Sequence, residues 1–111
     1  MYNSPSPLSK KYREIASGEF QDLAIMSHTM VMDVRSAGEF EGGKIRGAFN
    51  LDVSSSNFMN LIQNLSKDKT YLIYCRSGNR SGMACAIMNE MGFKEVINLK
   101  QGLLLWPFEL V

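Results

Sequence analysis

The chain has 111 residues, 45% of them apolar, with 12 basic and 11 acidic side chains and a formal net charge of +1. That length supports one domain with its own hydrophobic core and no metal or disulfide staple, and the composition is that of an ordinary soluble globular protein. Near-neutral charge gives no overall reason for nucleic-acid or membrane binding, and two cysteines without Cys-x-x-Cys or Cys/His spacing argue against a disulfide scaffold and a zinc site.

Residues 1–11, with Pro5 and Pro7 among small polar side chains, are expected as a flexible lead-in to a single domain over 12–111. They carry no apolar run of the kind found in a signal peptide or membrane anchor. Tyr12 to Ile15 reads as a short first strand, and Ser17 to about Ile25 as a weak helix with Phe20, Leu23 and Ala24 on one face. Met30 to Val34 is apolar except for Asp33, as expected of a strand covered on both faces. Ser36-Ala37-Gly38-Glu39 has the pattern of a capping box, so a short helix should start there. Gly42, Gly43 and Gly47 punctuate the next stretch, and Ala48 to Leu51 reads as a short strand. Ser54 to Asn57 offers N-caps for a helix bearing Phe58, Leu61, Ile62 and Leu65 at i, i+3, i+4 and i+7. Tyr71 to Tyr74 is a strand, about Arg80 to Met91 a helix closed by Gly92 at C′, and Glu95 to Leu99 the last strand. Strands alternating with helices predict an α/β fold: a mostly parallel central sheet with helices on both faces. Ligands of such sheets bind beyond the carboxyl ends of the strands, where Cys75, Asp33 and Arg35 lie.

Cys75 sits where a buried strand turns into a helix, followed by Arg76-Ser77-Gly78-Asn79-Arg80-Ser81. A free thiol of pKa about 8.5 is only a few per cent thiolate at neutral pH, and lowering it by ~2 units takes ~2.7 kcal/mol. The helix N-terminus, Arg76, Arg80 and loop N–H groups turned inward by Gly78 are candidate sources. Ser77, Asn79 and Ser81 add small donors. The same donors could stabilise a persulfide, whose outer sulfur is anionic. Arg76 is expected to face incoming anions, and Arg80 to pack its stem and bond loop carbonyls. A reducing cytoplasm, where a free thiol persists, is the expected location. Cys85 lies mid-helix among Met83, Ala84, Ala86, Ile87 and Met88 and reads as core. Ten residues separate it from Cys75, ~15 Å if fully helical, which argues against a disulfide. His28 precedes a strand and reads as a solvated or packing residue.

Cys75-Arg76-Ser77-Gly78-Asn79-Arg80-Ser81 resembles the active-site loop of rhodanese-type sulfurtransferases. Asp33-Val34-Arg35 followed by Glu39-Phe40, the stretch Gly43 to Asn50, Gly92-Phe93, Leu99, Gly102 and Trp106 extend the likeness over nearly the whole chain. Lys44 departs from the family's usual histidine, and Lys100-Gln101-Gly102 has one glycine where two are common. The resemblance implies a ping-pong reaction without a cofactor. Cys75 would take the outer sulfur of an anionic donor such as thiosulfate and pass it to cyanide or a thiol, a protein acceptor included. The loop residues 76–81 would bind the substrate, and Asp33 and Arg35 would organise the strand end.

Two rivals remain. Cysteine-dependent phosphatases place a histidine before the cysteine and five residues before the arginine, whereas here Tyr74 precedes Cys75 and four residues intervene before Arg80. A silent interaction module of the same fold typically lacks the cysteine. The apolar run Leu103 to Phe108 could mark a self-association surface or pack in part on the core, and Leu103 and Trp106 could line the pocket mouth or be buried.

Overall fold

A computed structural model describes residues 12–111; the expected lead-in over 1–11 lies outside the described residues. In chain order the elements are β1 (Arg13–Ile15), α1 (Ser17–Ala24), β2 (Thr29–Asp33), α2 (Ala37–Glu41), β3 (Phe49–Asn50), α3 (Phe58–Ile62), β4 (Thr70–Tyr74), α4 (Asn79–Glu90) and β5 (Glu95–Leu99). A 3-10 turn over Gly102–Leu105 follows. Five strands form one sheet in the order β1-β5-β4-β2-β3, and every neighbouring pair is parallel. None of the described helices is long and apolar enough to cross a membrane.

The sheet divides the core in two because side chains alternate across a strand. Along β4, Tyr71 and Ile73, with Cys75 just beyond, join Phe58 and Ile62 of α3 and Ala84, Cys85 and Met88 of α4. Leu72 and Tyr74 face the other way, toward Phe20 of α1, Ile45 and the half-buried Trp106. Both faces are therefore covered, which is why the central strands read as nearly continuous apolar runs.

Local chemistry explains most element ends. Ser36 caps α2 by accepting from Glu39 N (3.2 Å) while Glu39 Oε1 accepts from Ser36 N (3.1 Å), the full capping box. Helix α4 ends in a Schellman arrangement: Phe93 N donates to the Met88 carbonyl and Gly92 N to that of Asn89. Helix α3 departs from expectation. It is only five residues long, no side chain caps it, Leu61 is exposed, and Leu65 packs beyond its end. Two of the expected caps are used otherwise, Ser55 Oγ accepting from Asn57 N and Asn57 Oδ1 from Asn60 Nδ2, while Asp52 Oδ1 accepts from Ser54 N, so the stretch coils into turns.

Candidate active site

Topology locates the site. The chain leaves β2 toward the β3 edge but leaves β4 toward β5, in opposite directions across the sheet. The loops after these two strands therefore diverge and open a crevice at their carboxyl ends. The β2–β4 register pairs Asp33 with Tyr74, so Asp33 and Arg35 flank one side of that opening and Cys75 the other.

Cys75 is 1% exposed, and its sulfur lies in a cradle of donors. Sγ accepts from Gly78 N (3.1 Å), Ser81 N (3.4 Å) and Ser81 Oγ (3.3 Å). Burial alone pushes the thiol up; the Ser81 hydroxyl and the N–H groups of Ser81, Gly78 and Ser77 outweigh it and bring the thiol below its ordinary value. Gly78 makes the geometry possible. It is left-handed (φ +100°) at the N-cap of α4, and a Cβ there would collide with the Lys100 carbonyl. Of the remaining loop residues, Arg76, Ser77 and Asn79 are exposed while Ser81 is fully buried. Cys85 is wholly buried, and burial first of all pushes its thiol well up, with Glu14 and Cys75 adding to the rise. A buried thiol of that kind is inert.

Arg80 does not spend its guanidinium on loop carbonyls. It grips Glu39 with both arms, Nη1 to Oε1 at 2.7 Å and Nη2 to Oε2 at 3.0 Å, tying α4 to α2. The same carboxylate completes the α2 capping box. Chiefly through the Arg80 bonds, Glu39 is pushed down to about 2.

Asp33 and Arg35 form a second, buried pair. Arg35 Nη2 and Nε reach Asp33 Oδ2 at 2.7 and 3.0 Å, and Nη2 also donates to the Gly43 carbonyl at 2.6 Å. The guanidinium lies 5.7 Å from the centre of the Tyr74 ring, and the Tyr74 hydroxyl accepts from Ile45 N at 3.1 Å. The pair thus fastens the 43–45 segment to the ends of β2 and β4. Removing one partner of such a buried pair typically costs about 3–5 kcal/mol.

Two supports went unnoticed in the sequence. The turn after β5 clamps the start of the cysteine loop: Leu103 N donates to the Cys75 carbonyl (3.1 Å) and Leu104 N to that of Arg76 (3.0 Å). Gly102 is left-handed there (φ +59°), and a Cβ would overlap the same two carbonyls. The other is Asn98 of β5, fully buried, whose Nδ2 donates to Gly78 O (3.2 Å) and to Glu14 Oε2 (3.0 Å). An amide inside the apolar run Val96-Ile97-Asn98-Leu99 was the available signal.

Other candidates fall away from the cradle. His28 is exposed in the turn before β2, at the opposite end of the strands from Cys75. Lys44 Nζ lies 4.8 Å from the centre of the Phe40 ring, and its backbone pairs with Val111. The apolar run divides: Leu103 and Trp106 pack on the core, Trp106 edge-to-face against Phe20, while Leu104, Leu105 and Phe108 are exposed.

Residues 16–107 match the model of the rhodanese-like domain. The chain is 36% identical over 90 residues to a sulfurtransferase of Allochromatium vinosum, covering 78% of each. It is 28% identical to a tRNA uridine(34) hydroxylase of Cytophaga hutchinsonii, covering 93% of this chain but 34% of that protein. Other curated relatives are also longer, and the chain spans between half and three fifths of two of them. A rhodanese-related protein of Thermoplasma volcanium superposes with a TM-score of 0.76 at 25% identity, over 90% of this chain and 98% of that one.

Proposed function

Because the chain belongs to the rhodanese-like domain family, a sulfurtransferase-type family, we propose that it moves a sulfane sulfur from an anionic donor to a thiol or cyanide through a persulfide on Cys75. The observation that carries this reading is the Cys75 sulfur itself, held by three donors and lowered in pKa despite burial. The thiolate attacks the outer sulfur of thiosulfate, a sulfur–sulfur bond forms to Cys75, and the bond to the sulfonate sulfur breaks with sulfite leaving on its electron pair. The acceptor, cyanide or a thiolate, then attacks the outer sulfur of the persulfide. Cys75 leaves as thiolate, so no proton donor, metal or external oxidant is required. Inward N–H groups suit both anionic states, the thiolate and the persulfide.

Four residues between Cys75 and Arg80, with Arg80 held by Glu39, support sulfur over phosphate as the group transferred. Arg76 is the exposed loop cation that an anionic donor meets first. Asp33 and Arg35 serve the site as supports, since their groups are turned on each other and on the Gly43 carbonyl.

The experiment is intact mass measurement of the reduced protein after thiosulfate. One added sulfur is expected, removed by cyanide as thiocyanate, absent in Cys75→Ser and present in Cys85→Ser. The same preparation should hydrolyse no aryl phosphate. Sulfur loading that survives in Cys75→Ser would overturn the assignment, as would cysteine-dependent phosphate release.

A further inference from the structure

The cradle around Cys75 depends on the direction of the Gly78 N–H, and the structure fastens Gly78 from below. Its carbonyl accepts the first backbone bond of α4, from Gly82 N at 3.0 Å, and also accepts from Asn98 Nδ2 at 3.2 Å. Its Cα lies so close to the Lys100 carbonyl that no side chain fits. The backbone just past β5 therefore presses on Gly78, and β5 holds it with the Asn98 side chain.

The amide can sit only one way round. Both neighbours, the Glu14 carboxylate and the Gly78 carbonyl, are acceptors, so the NH2 must face them. Asn98 Oδ1 is then left buried with no hydrogen-bond partner among the described residues. A core strand does better with an apolar residue than with a half-satisfied amide, unless the amide does something the apolar residue could not. We propose that Asn98 is a positioning residue for the sulfur cradle: its amide, oriented by Glu14, anchors the Gly78 carbonyl and with it the Gly78 Cα, so that the Gly78 N–H, on the preceding peptide unit, points at Cys75 Sγ. This rests on the reading of Cys75 as the reacting thiol. Asn98 touches neither sulfur nor substrate; it acts through Gly78.

The test reads the thiol directly. The rate of Cys75 alkylation by iodoacetamide, a neutral probe, is followed against pH, with the site assigned by peptide mass. In Asn98→Ala the midpoint should rise by about 0.5–1 pH unit, because a charge-assisted bond to the thiolate is weakened but not lost. Asn98→Leu keeps roughly the side-chain volume without the donor and adds no charge, and should raise the midpoint likewise where the alanine cavity disturbs folding. Neither variant adds or removes a charge: Arg80 and Cys85 on α4 and Glu14 on β1 stay in place, Glu14 losing only its bond from Asn98. A purely structural role would lower the melting temperature and leave the midpoint where it is in the native protein; that outcome in a folded variant overturns the proposal. Alkylation needs no sulfur donor, so native protein that loads no sulfur from thiosulfate would defeat the functional reading while leaving this result standing.

Discussion

At the scale of single residues, the two loop arginines divide the work of charge. Arg76 is exposed and immediately follows Cys75, whereas Arg80 is half-buried and paired. Arg76→Ala should raise KM for thiosulfate more than it lowers kcat, and the effect should shrink in high salt, because an exposed charge is screened over ~8 Å at physiological ionic strength. Arg80→Ala should lower kcat with every donor and raise the midpoint of Cys75 alkylation, since it removes a charge that the thiolate feels and strands the Glu39 carboxylate. Steady-state kinetics at two salt concentrations separate them; a fall in kcat with unchanged KM in Arg76→Ala would reverse the roles. The cysteine, its loop and the Asp33-x-Arg35 pair were legible in the sequence because local spacing carries them. The partner of Arg80 was not, since Glu39 lies 41 residues away and its place in a capping box already accounted for it. Asn98 was hidden for a different reason: one amide in a four-residue apolar stretch does not disturb a strand pattern, and its purpose appears only when β5 lies beneath Gly78.

Among the elements, those with a strong local signal appear where expected. Apolar runs over 30–34, 71–74 and 95–99 became the three middle strands, and Ser36-x-x-Glu39 opened α2. Helix α3 was legible in type and not in extent, because Asp52 and Ser55 offered the backbone turn bonds that compete with a helix. The 3-10 turn after β5 was read only as an apolar tail. Its short span repeats too few positions to show a period, and its worth lies in long-range bonds to Cys75 and Arg76. Two glycines give that worth a test. Gly102→Ala should destabilise the fold by about 1–3 kcal/mol through a left-handed residue that also meets backbone, and should slow sulfur loading. Gly38→Ala, in open space on α2, should be neutral or stabilise by up to ~1 kcal/mol. Denaturant unfolding of the two variants checks the contrast, and equal effects at both positions would mean the clamp is slack.

For the molecule as a whole, the Glu39–Arg80 bond joins α2 to α4 across the mouth of the site and ties stability to pH. Glu39 is pushed from an ordinary 4.5 down to about 2 in the folded protein. A depressed folded value means the contribution is complete above about 4.5 and is lost as the pH falls toward 2. Glu39→Gln keeps a capping-box acceptor but no charge. The native protein should therefore resist urea better than the variant at pH 7, and the gap should shrink below about pH 4.5 and close near pH 2, a range set by the two Glu39 values. An unchanged gap across that range would show that the pair adds nothing to folding. The same long-range economy governs the order in which the molecule can be assembled. Strand β1 has a single neighbour, β5, and Glu14 meets Asn98 across 84 residues of chain. During synthesis β1 emerges well before β5 and waits for it, since a non-local parallel pairing must close a long loop before it gains anything. Gly78 has no amide beneath it until then. A nascent chain stopped short of β5 can display Cys75, but its Gly78 carbonyl lacks the Asn98 amide, and that amide lacks Glu14 until β1 and β5 have come together.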